Sequence, residues 1–149
     1  MKQELKFERL VISLQVIMKY MTKIHNAGKN PAYTSGNFPG VVFMQYTEEE
    51  DTFFTVISEK DYHKIKGEYW SGTNKYVKTC REGKTVYLHR ELCPNMTAGL
   101  YAHHEGSKFD NRPQLLKAVT PANHDQHRTY CGDLVVDVDN SGDLILNIR

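Results

Sequence analysis

Four of the seven histidines lie within two neighbouring stretches, Tyr101-Ala-His-His-Glu-Gly-Ser-Lys-Phe-Asp-Asn-Arg112 and Thr120-Pro-Ala-Asn-His-Asp-Gln-His127. Residues Leu100–His104, which overlap the start of the first stretch, are predicted to form a short strand that ends in the two adjacent histidines. A polar loop follows, and the apolar residues 115–119 predict a second strand. The local order is therefore strand, loop, strand, and then the second histidine stretch.

The second stretch carries the start signals of a helix. Thr120 suits the N-cap position, and Pro121 suits the first helical position, where its missing N–H costs nothing. On a helix, His124 and His127 stand three residues apart and share a face. The sequence therefore predicts a strand–loop–strand–helix unit with histidines on its first and last elements.

This arrangement of histidines predicts a single-metal nuclease site. Adjacent strand residues point to opposite sides, so His103 and His104 should have different roles. One of them can join His124 and His127 on a divalent metal. The other can act as a general base, because the ordinary pKa of histidine is about 6.5. The metal would bind the scissile phosphate and stabilise the leaving 3′-oxygen. Basic side chains that can clamp phosphate oxygens are Arg90, Lys108, Arg112 and Arg128.

Two plainer interpretations of the histidines stay open. They can be ordinary surface or capping groups, or they can form a structural zinc site with Cys93 or Cys131. Cys131 lies only four residues beyond His127. The three cysteines form no CxxC pair and are odd in number, which favours a reducing cytoplasm over a disulfide framework.

Positive charge is concentrated on the segment that holds the histidines. Residues 60–128 carry 12 Lys and Arg against 7 Asp and Glu, a local +5 in a chain whose net charge is +1. A hairpin predicted over residues 76–88 bears Lys78 and is preceded by Lys75. Cationic, aromatic-flanked ribbons can lie against a phosphate backbone. Surface lysines that serve only solubility are the alternative.

The remaining elements are predicted from periodicity and turn signals. Residues 4–25 read as one amphipathic helix, because apolar residues recur at three- and four-residue steps. The β-branched residues of Val11-Ile-Ser-Leu14 leave a strand possible there. The predicted elements that follow are a loop over 27–40, a hairpin over 41–57 with an acidic turn at 48–51, a helix beginning at Ser58, a short helix over 88–92, and a hairpin over 134–148. No apolar run approaches the length of a membrane span, and no signal peptide is expected.

About half of the chain, residues ~53–127, resembles the HNH (ββα-metal) endonucleases, in particular the phage and intron-encoded homing type. The matching residues are Val86-Tyr-Leu-His-Arg90, His103-His104, Gly106, Asp110-Asn-Arg112, Leu116-Lys117, Thr120, His124 and His127. The segments Tyr62–Trp70 and Tyr76-Val77 also resemble the β-region with which this family approaches DNA. The resemblance implies an α+β fold built on a ββα-metal core at about residues 98–129.

The resemblance implies a role for each matching residue. His104 takes the general-base position, and Asn111 takes the position of the asparagine that braces the loop. Metal ligands would be His103, His124 and, as a frequent further ligand or phosphate contact, His127. Arg90 and Arg112 match basic positions that meet phosphate. The implied cofactor is one divalent metal, Mg²⁺ or Mn²⁺, with Zn²⁺ as the alternative.

One residue departs from the family pattern: Leu115 stands where the family places an asparagine that helps to fix the loop bearing the base. Gln114 or Asn111 can substitute for that amide, or the loop can be held differently. Because of Leu115, a second function is considered beside the nuclease: a catalytically degenerate HNH-fold protein that binds DNA as a regulator or anti-defence factor.

The expected protein is a DNA endonuclease in the cytoplasm of a bacterial or phage-infected cell. It is expected to have an N-terminal helical segment over residues 1–28 and a single HNH nuclease domain over residues 41–149, with flanking antiparallel hairpins. One such site cuts one strand. A homodimer is therefore expected where both strands are cut, with the N-terminal helix as its candidate interface.

Overall fold

The polypeptide has a mixed α+β structure in which strands predominate and the helices are short. The computed structural model describes residues 5–24, 29–123, 129–130 and 132–149. In chain order the elements are β1 (Leu5–Lys6), β2 (Arg9–Ile12), α1 (Leu14–Tyr20), β3 (Thr22–Ile24), β4 (Ala32–Thr34), β5 (Val41–Glu48), β6 (Asp51–Ser58), α2 (Glu59–Ile65), β7 (Ser71–Thr73), β8 (Tyr76–Arg81), β9 (Lys84–Tyr87), α3 (Leu88–Leu92), β10 (Tyr101–His104), β11 (Leu116–Val119), β12 (Thr129–Tyr130), β13 (Asp133–Val138) and β14 (Leu144–Ile148). The predicted α+β class is confirmed. None of the helices in the described part of the chain has the length and apolar character that crossing a membrane requires.

A sheet with the strand order β14-β13-β2-β6-β5-β4-β3 is the largest assembly among the described residues. Its middle is the β5–β6 hairpin, paired from Val41↔Ser58 to Glu48↔Asp51. Residues with β-branched and aromatic side chains dominate both strands, as is typical of buried strands. The acidic turn between them places Glu49 at φ 55°. The predicted hairpin is confirmed.

This sheet is covered on both faces. On one face, α1 contributes Val16 and Ile17 to a cluster with Leu10, Phe43, Phe54, Phe109, Val136 and Leu144. On the other face, α2, α3 and the second sheet contribute to a cluster that includes Val42, Met44, Ile57, Tyr62, Trp70 and Leu88. Burial on both faces explains why β6 is a nearly continuous apolar run. The polar exception in that run is Thr55, whose side chain is completely buried.

A second sheet, β7-β8-β9, packs over the β5 side of the large sheet. The predicted hairpin β8–β9 is confirmed, with Lys78 opposite Tyr87. The chain enters this sheet after Trp70, which is held by a 2.9 Å hydrogen bond from Nε1 to the Ile65 carbonyl. The predicted helix beginning at Ser58 is also confirmed, because Ser58 accepts a 3.2 Å hydrogen bond from the Asp61 N–H as an N-cap. The short helix α3 follows β9 without a break and ends before Pro94, as predicted.

The first part of the predicted strand–loop–strand–helix unit is confirmed. β10 and β11 pair antiparallel, from Tyr101↔Val119 to His104↔Leu116. Residues 121–123 form a single 3₁₀ turn. The predicted helix bearing His124 and His127 lies outside the described residues. An antiparallel strand pair therefore lies where the ββα core was expected, and the core itself, with its helix, stays a prediction. The predicted hairpin β13–β14 is confirmed.

Two predictions for the N-terminal third are wrong. Residues 4–25 do not form the single helix that their apolar periodicity predicted. β1 and β2 precede α1, and β3 follows it. β2 inserts between β13 and β6 in the large sheet, and the backbone hydrogen bonds of that insertion outweigh the helical periodicity. Ser13 then caps α1 by accepting a 3.2 Å hydrogen bond from the Val16 N–H. The segment 27–40, predicted as a loop, contains β4, which pairs with both β3 and β5.

Candidate active site

The two adjacent histidines of β10 lie on opposite faces of their hairpin. Exposure alternates along the strand, with Ala102 and His104 buried and Tyr101 exposed. His104 is 3% exposed, whereas His103 is partly exposed. The prediction that strand alternation separates the pair is confirmed. The roles assigned to the two histidines stay predictions.

A chain of buried hydrogen bonds orients His104. Its Nε2 lies 2.9 Å from Asn111 Oδ1, and Asn111 Nδ2 donates to Thr55 Oγ1 at 2.8 Å. The Thr55 hydroxyl donates in turn to the Phe109 carbonyl at 2.8 Å. Because the Thr55 hydrogen is used on Phe109, Thr55 accepts from the Asn111 amide, and Asn111 presents its oxygen to His104. A neutral His104 therefore carries its proton on Nε2, and its lone pair lies on Nδ1.

The loop that carries Asn111 is anchored to the central strand β6. The Val56 N–H donates to the Phe109 carbonyl at 2.8 Å, and the Asn111 N–H donates to the Val56 carbonyl at 2.9 Å. Asp110 thus forms an isolated parallel bridge with Val56. This anchoring places the Asn111 side chain beside Thr55, one residue before Val56. The central sheet, rather than the histidine hairpin alone, sets the orientation of His104.

Leu115, the departure from the family pattern, holds the same loop through its backbone. Its carbonyl accepts a 2.9 Å hydrogen bond from the Glu105 N–H. Its side chain packs against Gly106, where an added Cβ would lie 3.2 Å from Leu115 Cδ1. The amide that contacts His104 comes from Asn111, and Gln114 is exposed. Of the two amides considered in its place, Asn111 occupies the position beside the histidine.

Aromatic rings from the second sheet and α3 surround His104. The centroid of the His89 ring lies 4.7 Å from that of His104, and the Tyr76 centroid lies 5.9 Å away. Tyr76 and His89 stack at 5.1 Å, and Tyr87 meets His89 at 5.6 Å. Sequence reasoning assigned none of these three rings, nor Thr55, to the site. The available signals were the single polar residue within the apolar run of β6 and the histidine of the Val86–Arg90 motif.

Three of the predicted phosphate-binding lysines lie on or beside this aromatic cluster. Lys108 Nζ lies 4.2 Å from the centroid of the Tyr76 ring, close enough for a cation–π contact. Lys78 shares a face of β8 with Tyr76 and stands opposite Tyr87 on β9. Lys75 Nζ lies 3.6 Å from Glu8 Oε1. The predicted cationic, aromatic ribbon therefore lies next to the buried histidine, through the ring of Tyr76.

The predicted arginines are placed differently. Arg112 forms a two-pronged ion pair with Asp110, at 2.9 Å from Nε to Oδ1 and 2.7 Å from Nη2 to Oδ2. The hydrogen bonds to Asp110 raise the pKa of Arg112. Arg112 therefore braces the loop, and a phosphate would have to compete with Asp110 for it. Arg90 is exposed and donates to the neutral Leu100 carbonyl at 2.7 Å, so its charge is not compensated by this contact. Arg128 lies outside the described residues.

The described residues supply one of the three predicted metal ligands, His103. His124 and His127 lie outside the described residues. Within residues 5–24, 29–123, 129–130 and 132–149, no group of three or more His, Cys, Asp or Glu is placed to hold a metal. Cys93, named for the zinc alternative, is buried, and burial raises the pKa of its thiol. Cys131 is not among the described residues.

No protein-family model matches this chain, and neither does any curated protein or solved structure.

Proposed function

We propose that this protein is a metal-dependent endonuclease that hydrolyses phosphodiester bonds of DNA, with His104 as its general base. The observation that carries the proposal is the hydrogen-bond chain from His104 through Asn111 and Thr55 to the Phe109 carbonyl. A general base needs a defined tautomer and a fixed ring, and this chain supplies both. The motif resemblance to HNH endonucleases supports the same assignment.

In the proposed reaction, Nδ1 of His104 takes a proton from the attacking water while Nε2–H remains bonded to Asn111. The Asn111 carbonyl oxygen then faces the imidazolium that forms and stabilises its positive charge. We expect Lys78 and Lys108, which lie at the aromatic cluster, and Arg90, which is exposed on α3, to contact the DNA backbone. A divalent metal held by His103 and the predicted ligands His124 and His127 would supply stabilisation of the phosphate charge.

A cleavage assay tests the proposal. Supercoiled plasmid is incubated with purified protein and Mg²⁺ or Mn²⁺, and nicked and linear products are measured. We expect cleavage by the wild type and a loss of about 10²- to 10⁴-fold in His104→Ala, the range in which a general base contributes. Binding to the same DNA should be retained. His63→Ala is the matched control, because His63 is an exposed histidine on α2. Undiminished cleavage by His104→Ala would remove His104 from the mechanism.

The second candidate is a DNA-binding protein of the same ancestry without cleavage. The burial of His104 favours it, because the ring is only 3% exposed and lies beneath Tyr76 and His89. Catalysis requires that a water reach Nδ1 when DNA is bound. Binding of DNA by the wild type without cleavage under either metal would select this candidate.

A further inference from the structure

β14 is one of the two edge strands of the large sheet, and its outer side presents backbone groups of alternate residues. Asp133 and Arg149 exchange both backbone hydrogen bonds, at 2.8 and 3.0 Å, and the Asp139 N–H donates to the Asp143 carbonyl at 2.9 Å. The odd-numbered residues of β14 therefore bond to β13. The N–H and C=O groups of Leu144, Leu146 and Ile148 point away from β13. Within the described residues, β14 pairs with no other strand.

The two edges of this sheet differ in length and chemistry. The opposite edge strand, β3, has three residues and carries Lys23 in its centre, a common protection against pairing with another chain. β14 has five residues, and its side chains between Asp143 and Arg149 are uncharged. Leu146 is 47% exposed and Ile148 is 64% exposed. An apolar edge of this kind is a template for adding a further strand.

The sequence of this edge is complementary to itself. When Asp143–Arg149 is laid antiparallel to a second copy with Leu146 opposite Leu146, Leu144 stands opposite Ile148, and Asp143 stands opposite Arg149. The charges are opposite at both ends, and the centre is apolar. In this register Leu144, Leu146 and Ile148 are also the residues whose backbone groups face outward, so all three form hydrogen-bonded pairs with the second copy. The apolar side chains, the charges at the two ends and the outward-facing backbone groups therefore all favour the same register.

We propose that two copies of this chain associate through β14, antiparallel and centred on Leu146, to form one continuous sheet. The twofold axis runs perpendicular to the sheet between the two Leu146 residues, as an isologous interface requires. A row of six apolar side chains then lies on one face, two each from Leu144, Leu146 and Ile148. The Asp143 and Arg149 pairs lie on the opposite face, where Arg149 also contacts Asp137 at 2.7 Å. This interface is an alternative to the N-terminal segment as the dimer element and does not depend on the nuclease proposal.

The first test measures molecular mass against concentration by analytical ultracentrifugation. We expect a monomer–dimer equilibrium for the wild type. Leu146→Lys places two lysines opposite each other at the axis and should raise the dissociation constant at least about tenfold, since like charges directly opposite are destabilising. Met18→Lys is the matched control, because Met18 is 77% exposed on α1. A wild-type monomer at all concentrations, or a dimer disrupted by Met18→Lys and not by Leu146→Lys, would overturn the proposal.

The second test reads the register directly and does not require Leu146→Lys to fold. In a background with Cys80→Ser and Cys131→Ser, which removes the exposed Cys80 thiol and the thiol outside the described residues and keeps the buried Cys93, Leu146→Cys places two thiols on the axis. Hydrogen-bonded antiparallel partners have Cα atoms about 5.5 Å apart, within the range of disulfides. We expect diamide to convert this variant to a covalent dimer. Asn147→Cys, whose partner would be Ile145, should remain monomeric on a denaturing gel. Equal cross-linking at both positions would contradict the register.

Discussion

At the scale of single residues, the feature that matters most is the hydrogen-bond chain that ends at His104. Asn111 is 1% exposed and Thr55 is completely buried, so neither can exchange its partner for water. Each polar atom lost from such a chain leaves its neighbour unsatisfied in the core, which is more costly than the hydrogen bond itself. These hydrogen bonds therefore couple the orientation of His104, the proposed base, to the stability of the large sheet.

Removing the Thr55 hydroxyl tests this coupling. Thr55→Val keeps the shape of the side chain but removes the acceptor for Asn111 and the donor to Phe109. We expect a loss of about 1–3 kcal/mol in the free energy of unfolding, measured by urea denaturation, and slower plasmid cleavage with unchanged DNA affinity. Thr55→Ser retains the hydroxyl and is the control. If Thr55→Val matched Thr55→Ser in cleavage rate, the chain would have no part in orienting His104.

At the scale of elements, the second sheet does two things: it packs against β5 and it carries the cationic, aromatic surface. Side chains of β8 alternate between its two faces, which allows both. Val77 and Thr79 are buried on one face, and Tyr76 and Lys78 lie on the other. α3 begins at Leu88, directly after β9. This position of α3 brings the ring of His89 next to the ring of His104. One short hairpin therefore connects the core to the candidate site.

The surface of this sheet is expected to contact the DNA backbone. Lys78→Ala and Lys108→Ala should each weaken DNA binding to a similar extent for different sequences, because phosphate contacts carry no base information. Each should also reduce the slope of log affinity against log salt by about 1. Fluorescence anisotropy over a range of salt concentrations measures both effects. Lys19→Ala on α1, which packs on the opposite face of the large sheet, should leave the slope unchanged.

The contact between the two sheets depends on a glycine. A Cβ at Gly72 would lie 2.9 Å from Glu48 Cβ and 2.9 Å from Tyr46 Cε2. Gly72→Ala is therefore expected to lower the free energy of unfolding by about 1–3 kcal/mol through overpacking, as measured by urea denaturation. Gly67→Ala is the control, since nothing lies within 4 Å of a Cβ at that position. Equal stabilities of the two variants would show that β7 can move away from β5 at no cost.

At the scale of the whole molecule, ion pairs join separate elements of the fold. Arg81 at the end of β8 bonds Glu68, which follows α2, and Glu91 in α3. The hydrogen bond from Arg81 lowers the pKa of Glu68 below its ordinary value of 4.5. Because the folded-state pKa is depressed, the stabilisation is present above the unfolded-state pKa and is lost as the pH falls through the folded-state value.

Arg81→Gln tests this contribution to acid stability. Urea unfolding of the variant and the wild type is compared at pH 7 and at pH 3. The variant should be less stable at pH 7, and the difference should be smaller at pH 3, because falling pH favours protonation of Glu68 and so weakens its ion pair with Arg81. Lys84→Gln, an exposed position on the same hairpin, should show no pH-dependent difference. A constant difference between Arg81→Gln and the wild type at both pH values would assign the effect to packing instead.

Elements that form between near neighbours in the chain are predictable from the sequence. The hairpins β5–β6, β8–β9 and β13–β14 and the short helices α2 and α3 follow from turn residues, alternation and the Ser58 cap. Strand alternation also separated His103 from His104, and motif order brought Asn111 into the candidate site. These predictions succeed because the interactions that form each feature lie within a few residues along the chain, where periodicity and capping act.

Contacts between segments that are distant in the chain are seen in the three-dimensional structure and are not predicted by the sequence patterns. β2 is a strand rather than part of a helix because β13 and β6 offer it backbone partners more than 40 residues away. Thr55 and His89 belong to the site because the loop after His104 bridges to β6 and α3 packs on β10. The outward-facing groups of β14 depend on its register with β13. Such pairings depend on backbone hydrogen bonds and burial between remote segments, which no local sequence pattern specifies.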